Sequence, residues 1–219
     1  RGRTGCLVPM SLAPYSAAEF RRRAIEQTLT LGEESWRDHG DSLLNPGVIP
    51  HLEDMKLRDA AVLIPVVDDG EEARVIFTQR TATMRKHSGQ VAFPGGAVDD
   101  DDADVEAAAM REAEEEISLD RRFVEPVGRL PQYKALSGFS ITPVLAVVRP
   151  GFELVPNPAE VETVFDVPLS FLMDPRNHEQ GSRIWLRGER HYYRMPYAGH
   201  NIWGITAGIV RVIYERLYA

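Results

Sequence analysis

Cysteine is nearly absent from this 219-residue chain, and long apolar runs are missing as well. Cys6 is the single cysteine, so no disulfide can form within the chain, which predicts a reducing, cytoplasmic location. The longest uninterrupted apolar run is residues 60–67, eight residues that include Pro65, and it is far too short to span a bilayer. We therefore expect neither an internal disulfide nor a membrane segment.

The 25 basic residues are outnumbered by 33 acidic ones, and the excess of acidic residues is concentrated in one place. The chain has a net charge of −8, and residues 99–116 contain ten acids against Arg111 as the only base. That segment has a charge of −9 and leaves +1 for the remainder of the chain. A concentrated negative site on a nearly neutral body predicts cation binding rather than nucleic-acid binding.

The pattern of apolar residues predicts an α/β fold with a mixed sheet and helices packed on it. Ser16 and Glu19 have capping-box spacing at the start of an amphipathic helix over about 16–31. This helix and an irregular wrap form an N-terminal extension, residues 1–58, before a main domain, residues 59–219. Within that domain, alternating or continuous apolar patterns and turn residues predict hairpins over 60–80 and 183–197, strands over 123–133, 140–150 and 161–168, and helices over 104–117 and 206–219.

Four glutamates crowd the end of the helix predicted over 104–117. At 100° per residue, Glu112, Glu115 and Glu116 share one face, whereas Glu114 points away and is expected to meet only water. Each like-charge pair on an exposed helix costs a few tenths of a kcal/mol. A solvated acidic face is one interpretation, and a metal site is the other.

The surroundings of the acidic helix favour the metal site. Alanines at 107–109 and 113 give the helix a small-sided flank, which allows close approach to a sheet. Gly95 and Gly96 lie just before the helix, where the backbone can turn sharply and expose carbonyl groups. Clustered carboxylates beside free carbonyl groups are the oxygen ligands that Mg²⁺ or Mn²⁺ requires.

Residues 96–119 resemble the Nudix box, whose pattern is G-x5-E-x7-R-E-U-x-E-E-x-G-U with U aliphatic. The match at REAEEE is complete. The spacing before Arg111 is one residue longer than the pattern, so the first Glu is replaced by Asp102 or by Ala103, depending on the end from which one counts. Ser118 replaces the penultimate Gly, which leaves open how the turn after the helix is built. The resemblance implies an α/β/α sandwich in which the acidic helix binds metal.

A second stretch, IFTQRTATMRKHSGQVAFPGG at 76–96, resembles the signature of the coenzyme A pyrophosphatase subgroup of Nudix hydrolases. That signature is L-L-T-x-R-[SA]-x3-R-x3-G-x3-F-P-G-G, and eight of its fixed positions fall in register. The resemblance implies metal-dependent hydrolysis of the diphosphate bond of coenzyme A or acyl-coenzyme A. The products would be 4′-phosphopantetheine and adenosine 3′,5′-bisphosphate.

The resemblance also implies which residues hold the metal and activate water. Glu112, Glu115 and Glu116, with the carbonyl of Gly96, would hold one or more Mg²⁺ or Mn²⁺ ions. Nudix enzymes differ in which acid deprotonates the water, so Glu115 and Glu160 are both candidates. Glu160 lies in the later loop NPAEVE, and an ordinary exposed loop acid is the alternative interpretation for it.

The remaining site residues would bind substrate or support the site. Arg80 and Arg85 match signature positions, and guanidinium groups bind phosphate well. Phe93 would stack on adenine or simply fill the core. Arg111 would pair with Asp102 or another nearby carboxylate to fix the helix against the preceding loop, and Gly95 would let the backbone approach closely.

Two other functions stay open on the sequence. One is a Nudix hydrolase of another nucleoside diphosphate derivative, such as ADP-ribose or NADH, or of a nucleoside triphosphate. The other is an inactive Nudix-like regulator, although such domains usually lose the box carboxylates that are present here. We expect a small-molecule substrate, no nucleic-acid or membrane partner, and a plausible homodimer.

Overall fold

The computed structural model describes residues 12–30, 35–70, 72–82, 89–185 and 188–219. Its α-helices are α1 Ala17–Thr28, α2 Asp41–Leu44, α3 Ile49–Asp54, α4 Val105–Ile117, α5 Leu169–Leu172 and α6 Ile205–Ile213. Its strands are β1 Arg58–Val67, β2 Arg74–Arg80, β3 Val91–Ala92, β4 Gly95–Ala97, β5 Val124–Arg129, β6 Tyr133–Ala135, β7 Phe139–Val148, β8 Val161–Pro168, β9 Glu179–Trp185, β10 Gly188–Tyr197 and β11 His200–Trp203. Short 3₁₀ turns join several of them.

Eight strands form a mixed sheet with β1 near its centre. The strand order is β3-β2-β1-β7-β5, with β4 also on β1, β6 also on β7 and β8 on the other edge of β2. The β1–β7 pair is parallel over its whole length, and the other pairs are antiparallel. A separate antiparallel sheet, β11-β10-β9, contains the predicted hairpin over 183–197. The sequence did not predict that this hairpin would form its own sheet.

Helices cover both faces of the mixed sheet, which confirms the α/β/α sandwich. Helix α4 packs Ala108, Ala109 and Ala113 on one face, all fully buried against side chains such as Leu63. Helices α1 and α6 cover the other face, where the larger core contains Phe20 and residues from β1, β2 and β7. The small alanine side chains let the α4 backbone lie close to the central strands, as the sequence predicted.

The N-terminal segment contains more helix than its sequence predicted. The Ser16 side chain caps α1 by accepting a hydrogen bond from Glu19 N at 3.2 Å, but the Glu19 carboxylate binds Arg22 and Arg23 instead of completing the capping box. Residues 35–54, expected to be irregular, form short helical turns. Gln27 Nε2 donates to Arg129 O at 2.6 Å, so α1 is docked on β5.

Two further boundaries differ from the sequence prediction. The strand expected over 123–133 is divided into β5 and β6 by residues 130–132, because Pro131 has no N–H for the ladder. The final helix is α-helical only to Ile213, and residues 214–218 form one π-helical turn. Among the described residues, no helix is long and apolar enough to cross a membrane.

Ser118 ends α4 in the left-handed conformation that usually belongs to glycine. Its φ and ψ are 58° and 28°, and its N–H donates to Glu114 O at 2.9 Å. The turn therefore has the conformation that the family's glycine would adopt, although its residue differs. The Ser118 hydroxyl also donates to Val155 O at 3.2 Å, which attaches a later loop to the helix end.

We expect Ser118→Gly to stabilise the protein by about 1 kcal/mol, because a non-glycine residue in this conformation costs roughly 1–2 kcal/mol and the lost exposed hydrogen bond offsets part of the gain. Thermal unfolding should show a melting temperature that is about 2–4 °C higher. Ser182→Gly, on an exposed strand position, is the control and should lower it. A lower melting temperature for Ser118→Gly would contradict this account.

Candidate active site

The acidic face of α4 lies at the edge where β4 pairs with β1. Asp104 caps the helix by accepting a hydrogen bond from Ala107 N at 2.8 Å. Gly96 lies opposite Ala61 in the β4–β1 ladder, so the Gly95–Gly96 backbone is held next to the helix. A helix fixed at its start by a cap and along its length by alanine packing presents its carboxylates to this backbone in a defined orientation.

Glu116 is the most buried of the clustered carboxylates, with 2% of the residue exposed. Gly95 N donates to its Oε2 atom at 3.3 Å, and Arg80 Nη1 lies 3.6 Å from its Oε1 atom. Burial raises the pKa of Glu116 to about 7, while the Gly95 N–H and the Arg80 charge act in the opposite direction. The site therefore holds a carboxylate whose negative charge is costly without a cation.

Glu112 lies one helical turn earlier, with its carboxylate against Gly96. A Cβ atom on Gly96 would lie 2.5 Å from the Glu112 carboxyl, so any other residue at this position would displace that carboxyl from its present place. Burial raises the pKa of Glu112, Arg111 lowers it, and the charges of Glu115 and Glu160 raise it further. The charges of Arg111, Glu115 and Glu160 therefore all act on the Glu112 carboxylate.

Arg111 joins the helix to the loop that precedes it. Its guanidinium donates to both carboxylate oxygens of Asp102 at 2.9 Å and to Ala97 O at 3.1 Å. This contact holds the pKa of Asp102 down at about 2. Of the two ways of counting the box, the structure thus puts Asp102 rather than Ala103 beside Arg111. Arg111 also reaches Glu112 at 3.0 Å.

The loop after β7 brings Glu160 to the acidic helix. Asn157 N donates to Glu116 O at 2.8 Å, and Val155 N donates to Ile117 O at 3.0 Å, so the loop is fastened to the end of α4. Thr81 N donates to Glu160 O at 3.0 Å. The Glu160 charge raises the pKa of Glu116, which places its carboxylate within electrostatic reach of the site.

Asn157 is a positioning residue that the sequence analysis missed. Its side chain accepts a hydrogen bond from Ala159 N at 3.1 Å, and its carbonyl accepts from Val161 N at 2.8 Å. This turn directs Glu160 toward α4. The signal in the sequence was the Asn-Pro pair of NPAEVE, which favours such a turn.

Three other residues with predicted roles differ in their exposure and contacts. Glu115 has a side chain that is 56% exposed and contacts Arg111 at 3.3 Å. Glu114 was expected to meet only water, but it forms an ion pair with Arg121 at 2.9 Å, because the chain turns back beside it after the helix. Phe93 is buried, with its ring 4.7 Å from that of Phe77, so the structure favours core packing over adenine stacking.

Arg85, with its neighbours Lys86 and His87, lies outside the described residues, so its predicted contact with substrate stays a prediction. The aromatic residues Tyr192, Tyr193 and Trp203 lie in the small sheet, and Tyr193 is buried.

The donor atoms of this site suit a hard divalent cation. In the described parts of the chain, no three His, Cys, Asp or Glu side chains are arranged to hold a metal ion as they stand. In this structure the carboxylates pair with arginines instead: Arg111 contacts Glu112 and Glu115, and Arg80 contacts Glu116. The carboxylates of Glu112 and Glu116 nevertheless lie against the Gly95–Gly96 backbone, and an all-oxygen donor set matches Mg²⁺ or Mn²⁺.

Comparisons with known proteins agree with this architecture. The model of the NUDIX domain matches residues 56–187. The chain is 41% identical over 177 residues to a protein of Citrobacter koseri named "Uncharacterized Nudix hydrolase NudL", with 77% of this chain and 86% of the relative covered. A protein of the same name from Escherichia fergusonii is 40% identical, with the same coverage.

The solved structures that match this chain have lower sequence identity to it than the NudL proteins. A Nudix hydrolase from M. Smegmatis, RenU, is 25% identical, with a TM-score of 0.43 and coverage of 50% of this chain and 70% of that one. The extent of the domain match and the level of identity to the NudL proteins determine the assignment. The chain belongs to the Nudix family of hydrolases, which act on phosphoanhydride bonds and generally use divalent metal ions.

Proposed function

We propose that this protein hydrolyses the diphosphate bond of coenzyme A or its acyl derivatives, giving 4′-phosphopantetheine and adenosine 3′,5′-bisphosphate. The observation that carries the proposal is the stretch 76–96, whose signature positions include Arg80 and Gly95, both in contact with Glu116. The subgroup signature and the acidic helix thus meet in one site. A cytoplasmic location and a homodimer stay predictions.

The side chains of the site would have different roles in phosphoanhydride hydrolysis. Glu112, Glu115 and Glu116, with the Gly96 carbonyl, would hold the metal, which supplies charge neutralisation to the transition state when bound. Arg80 would turn from Glu116 to the diphosphate once a cation replaces it beside the carboxylate. Guanidinium groups bind phosphate oxygens through paired N–H donors.

Glu160 is the better candidate for the general base. It is partly buried and its charge acts on both Glu112 and Glu116, whereas Glu115 is largely exposed and paired with Arg111. Water would attack phosphorus in line, its proton would pass to the Glu160 carboxylate, and the P–O bond of the anhydride would break. Arg111 and Asp102 hold the helix in place and take no part in proton transfer.

A substrate panel tests the proposal. Coenzyme A, 3′-dephospho-coenzyme A, ADP-ribose, NADH and a nucleoside triphosphate are incubated with the protein and Mg²⁺ or Mn²⁺, and the products are identified by mass spectrometry. We expect the highest kcat/KM for coenzyme A or an acyl derivative. If coenzyme A were no better than the other compounds, a different Nudix substrate would be assigned. If no compound were hydrolysed, the inactive regulator would be favoured.

Metal binding should stabilise the protein, because in its absence the charge of Glu160 raises the pKa of both Glu112 and Glu116, and the charge of Glu112 raises the pKa of Glu116. At about 100 times the dissociation constant, a ligand specific to the folded state adds roughly 2.7 kcal/mol. We expect the melting temperature to rise by about 5–10 °C with Mg²⁺ or Mn²⁺. The control is NaCl at equal ionic strength, and an unchanged melting temperature at saturating metal would count against the metal site.

A further inference from the structure

A cavity of about 480 Å³ lies between residues 41–52 and several later strands, and no residue of α4 lines it. Its walls come from α2 and α3, the turn between β6 and β7, strand β10, and the start of α6. This volume is within the range of small-molecule sites, about 300–1,000 Å³. None of the residues assigned to metal binding or proton transfer lines it.

Aromatic side chains form much of the cavity wall. Tyr133, Phe139, Tyr192 and Trp203 line it, and the rings of Tyr192 and Trp203 meet edge to face at 5.5 Å. Val48 faces them from the N-terminal segment. Aromatic side chains are surfaces on which unpaired nucleobases can stack, and such stacking is worth about 1–3 kcal/mol per base.

The charged side chains of the wall have a positive balance, in a chain whose net charge is −8. Lys134 and Arg190 line the cavity, with Asp41 as the one carboxylate among the lining residues. Lys134 Nζ lies 4.4 Å from the ring centroid of Trp36, and it makes no ion pair with a carboxylate of the described residues. Its charge is therefore available to an anionic ligand.

One residue of the cavity wall is hydrogen-bonded to a residue of the candidate active site. Gln90 lines the cavity, and its carbonyl accepts a hydrogen bond from Arg80 N at 3.0 Å. Arg80 in turn lies 3.6 Å from Glu116. A substrate that bridges the cavity and the acidic helix would have to pass Gln90.

We propose that this cavity binds the 3′-phosphorylated adenosine half of the substrate, with the adenine against the aromatic wall and the 3′-phosphate beside Lys134. The inference rests on the proposed function for the identity of the substrate. The pantetheine arm is uncharged and would gain nothing from the cations. Phe93, the other aromatic candidate for adenine, is already packed in the core.

Binding measured separately from turnover tests the assignment. Isothermal titration calorimetry with adenosine 3′,5′-bisphosphate compares the wild type with Lys134→Gln, and Lys56→Gln is the matched control, because Lys56 is exposed and does not line the cavity. We expect roughly a ten-fold weaker affinity for Lys134→Gln only. Adenosine 5′-monophosphate, which lacks the 3′-phosphate, should bind both variants equally. Unchanged affinity of Lys134→Gln for the bisphosphate would overturn the assignment of the 3′-phosphate.

A steric variant tests the aromatic wall without changing charge. Val48→Trp narrows the cavity, whereas Leu43→Trp places the same ring at an exposed position of the same segment outside the cavity. We expect Val48→Trp alone to weaken binding of the bisphosphate, with circular dichroism confirming that both variants fold. If Val48→Trp instead weakened only 4′-phosphopantetheine, the cavity would belong to the other half of the substrate and the proposal would be wrong.

Kinetics keep the two proposals distinct. Coenzyme A and 3′-dephospho-coenzyme A are compared in each variant, and Lys134→Gln should lower the kcat/KM ratio of the two substrates roughly ten-fold. A wild-type protein that binds the bisphosphate in the cavity but hydrolyses neither compound would overturn the proposed function alone. A wild-type protein that hydrolyses coenzyme A, with an unchanged ratio in Lys134→Gln, would overturn the cavity assignment alone.

Discussion

Replacing Glu116 by glutamine is expected to lower turnover about 1,000-fold or more while the protein stays folded. Glu116 is the buried carboxylate of the cluster and contacts both Gly95 N and Arg80. A metal ion contributes several kcal/mol of transition-state stabilisation, and about 4 kcal/mol corresponds to three orders of magnitude in rate. A neutral amide oxygen is a much weaker ligand than a carboxylate, so most of that contribution should be lost.

The fold should survive this substitution for three reasons. Glutamine has nearly the volume of glutamate, and its carbonyl oxygen can still accept the hydrogen bond from Gly95 N. Burial raises the pKa of Glu116 to about 7, so the metal-free folded state already holds the negative charge at a cost. Removing that charge should leave the melting temperature of the metal-free protein equal or higher.

Glu114→Gln is the matched control, because Glu114 points to another side of the helix and forms an exposed ion pair with Arg121. An exposed ion pair of this kind contributes about 1 kcal/mol or less. Steady-state kinetics with Mg²⁺ or Mn²⁺ and thermal unfolding of both variants provide the measurements. Wild-type turnover in Glu116→Gln would refute the metal site, and equal losses in both variants would point to a general effect of helix charge.

The sequence predicted the fold best where a single local pattern determined the structure. Helix α4 has an Asp104 cap, a small-sided face and a clear end, and its observed bounds lie within one residue of the prediction. The β1–β2 hairpin likewise follows from apolar strands around a turn. Residues 35–54 were less predictable, because their short helical turns depend on contact with the domain, such as that of Asn45 Nδ2 with His191 O at 2.8 Å.

The candidate site was likewise predictable only where local sequence determined it. Helical spacing placed Glu112 and Glu116 on one face, and the family pattern placed Arg111 near Asp102. The sequence did not show that arginines hold the carboxylates without metal, because Arg80 reaches Glu116 from a strand 36 positions earlier in the chain. The sequence also did not predict the ion pair between Glu114 and Arg121. That contact depends on the direction of the chain after Ser118, which adopts a left-handed conformation although it is not glycine.

Alanine substitutions at the adjacent residues Gly95 and Gly96 should have different effects. Gly95→Ala should reduce stability, whereas Gly96→Ala should reduce activity. At Gly95, where φ is +158°, a Cβ atom would lie 2.4 Å from Ala61 O and 2.7 Å from Val62 Cα. Both atoms belong to the backbone of the central strand, which cannot move aside. We expect Gly95→Ala to destabilise the protein by about 3 kcal/mol through overpacking and strain.

At Gly96 the obstacle is the side chain of Glu112, which we propose as a metal ligand. A Cβ atom there would lie 2.5 Å from the Glu112 carboxyl, which is the free end of a flexible side chain and can rotate away. We expect Gly96→Ala to change stability by about 1 kcal/mol or less. Because a displacement of about 1 Å can cost two orders of magnitude in rate, kcat should fall about 100-fold.

Gly47→Ala supplies the control for both substitutions, since nothing lies within 4 Å of the Cβ position at Gly47 and its backbone conformation suits alanine. Thermal unfolding and kcat at saturating Mg²⁺ are measured for all three variants. Gly95→Ala should lose stability, Gly96→Ala should lose activity while keeping its melting temperature, and Gly47→Ala should lose neither. Wild-type kcat in Gly96→Ala would mean that the position of Glu112 against the Gly96 backbone is not the one used in turnover, and the role of Glu112 as a metal ligand would then be wrong.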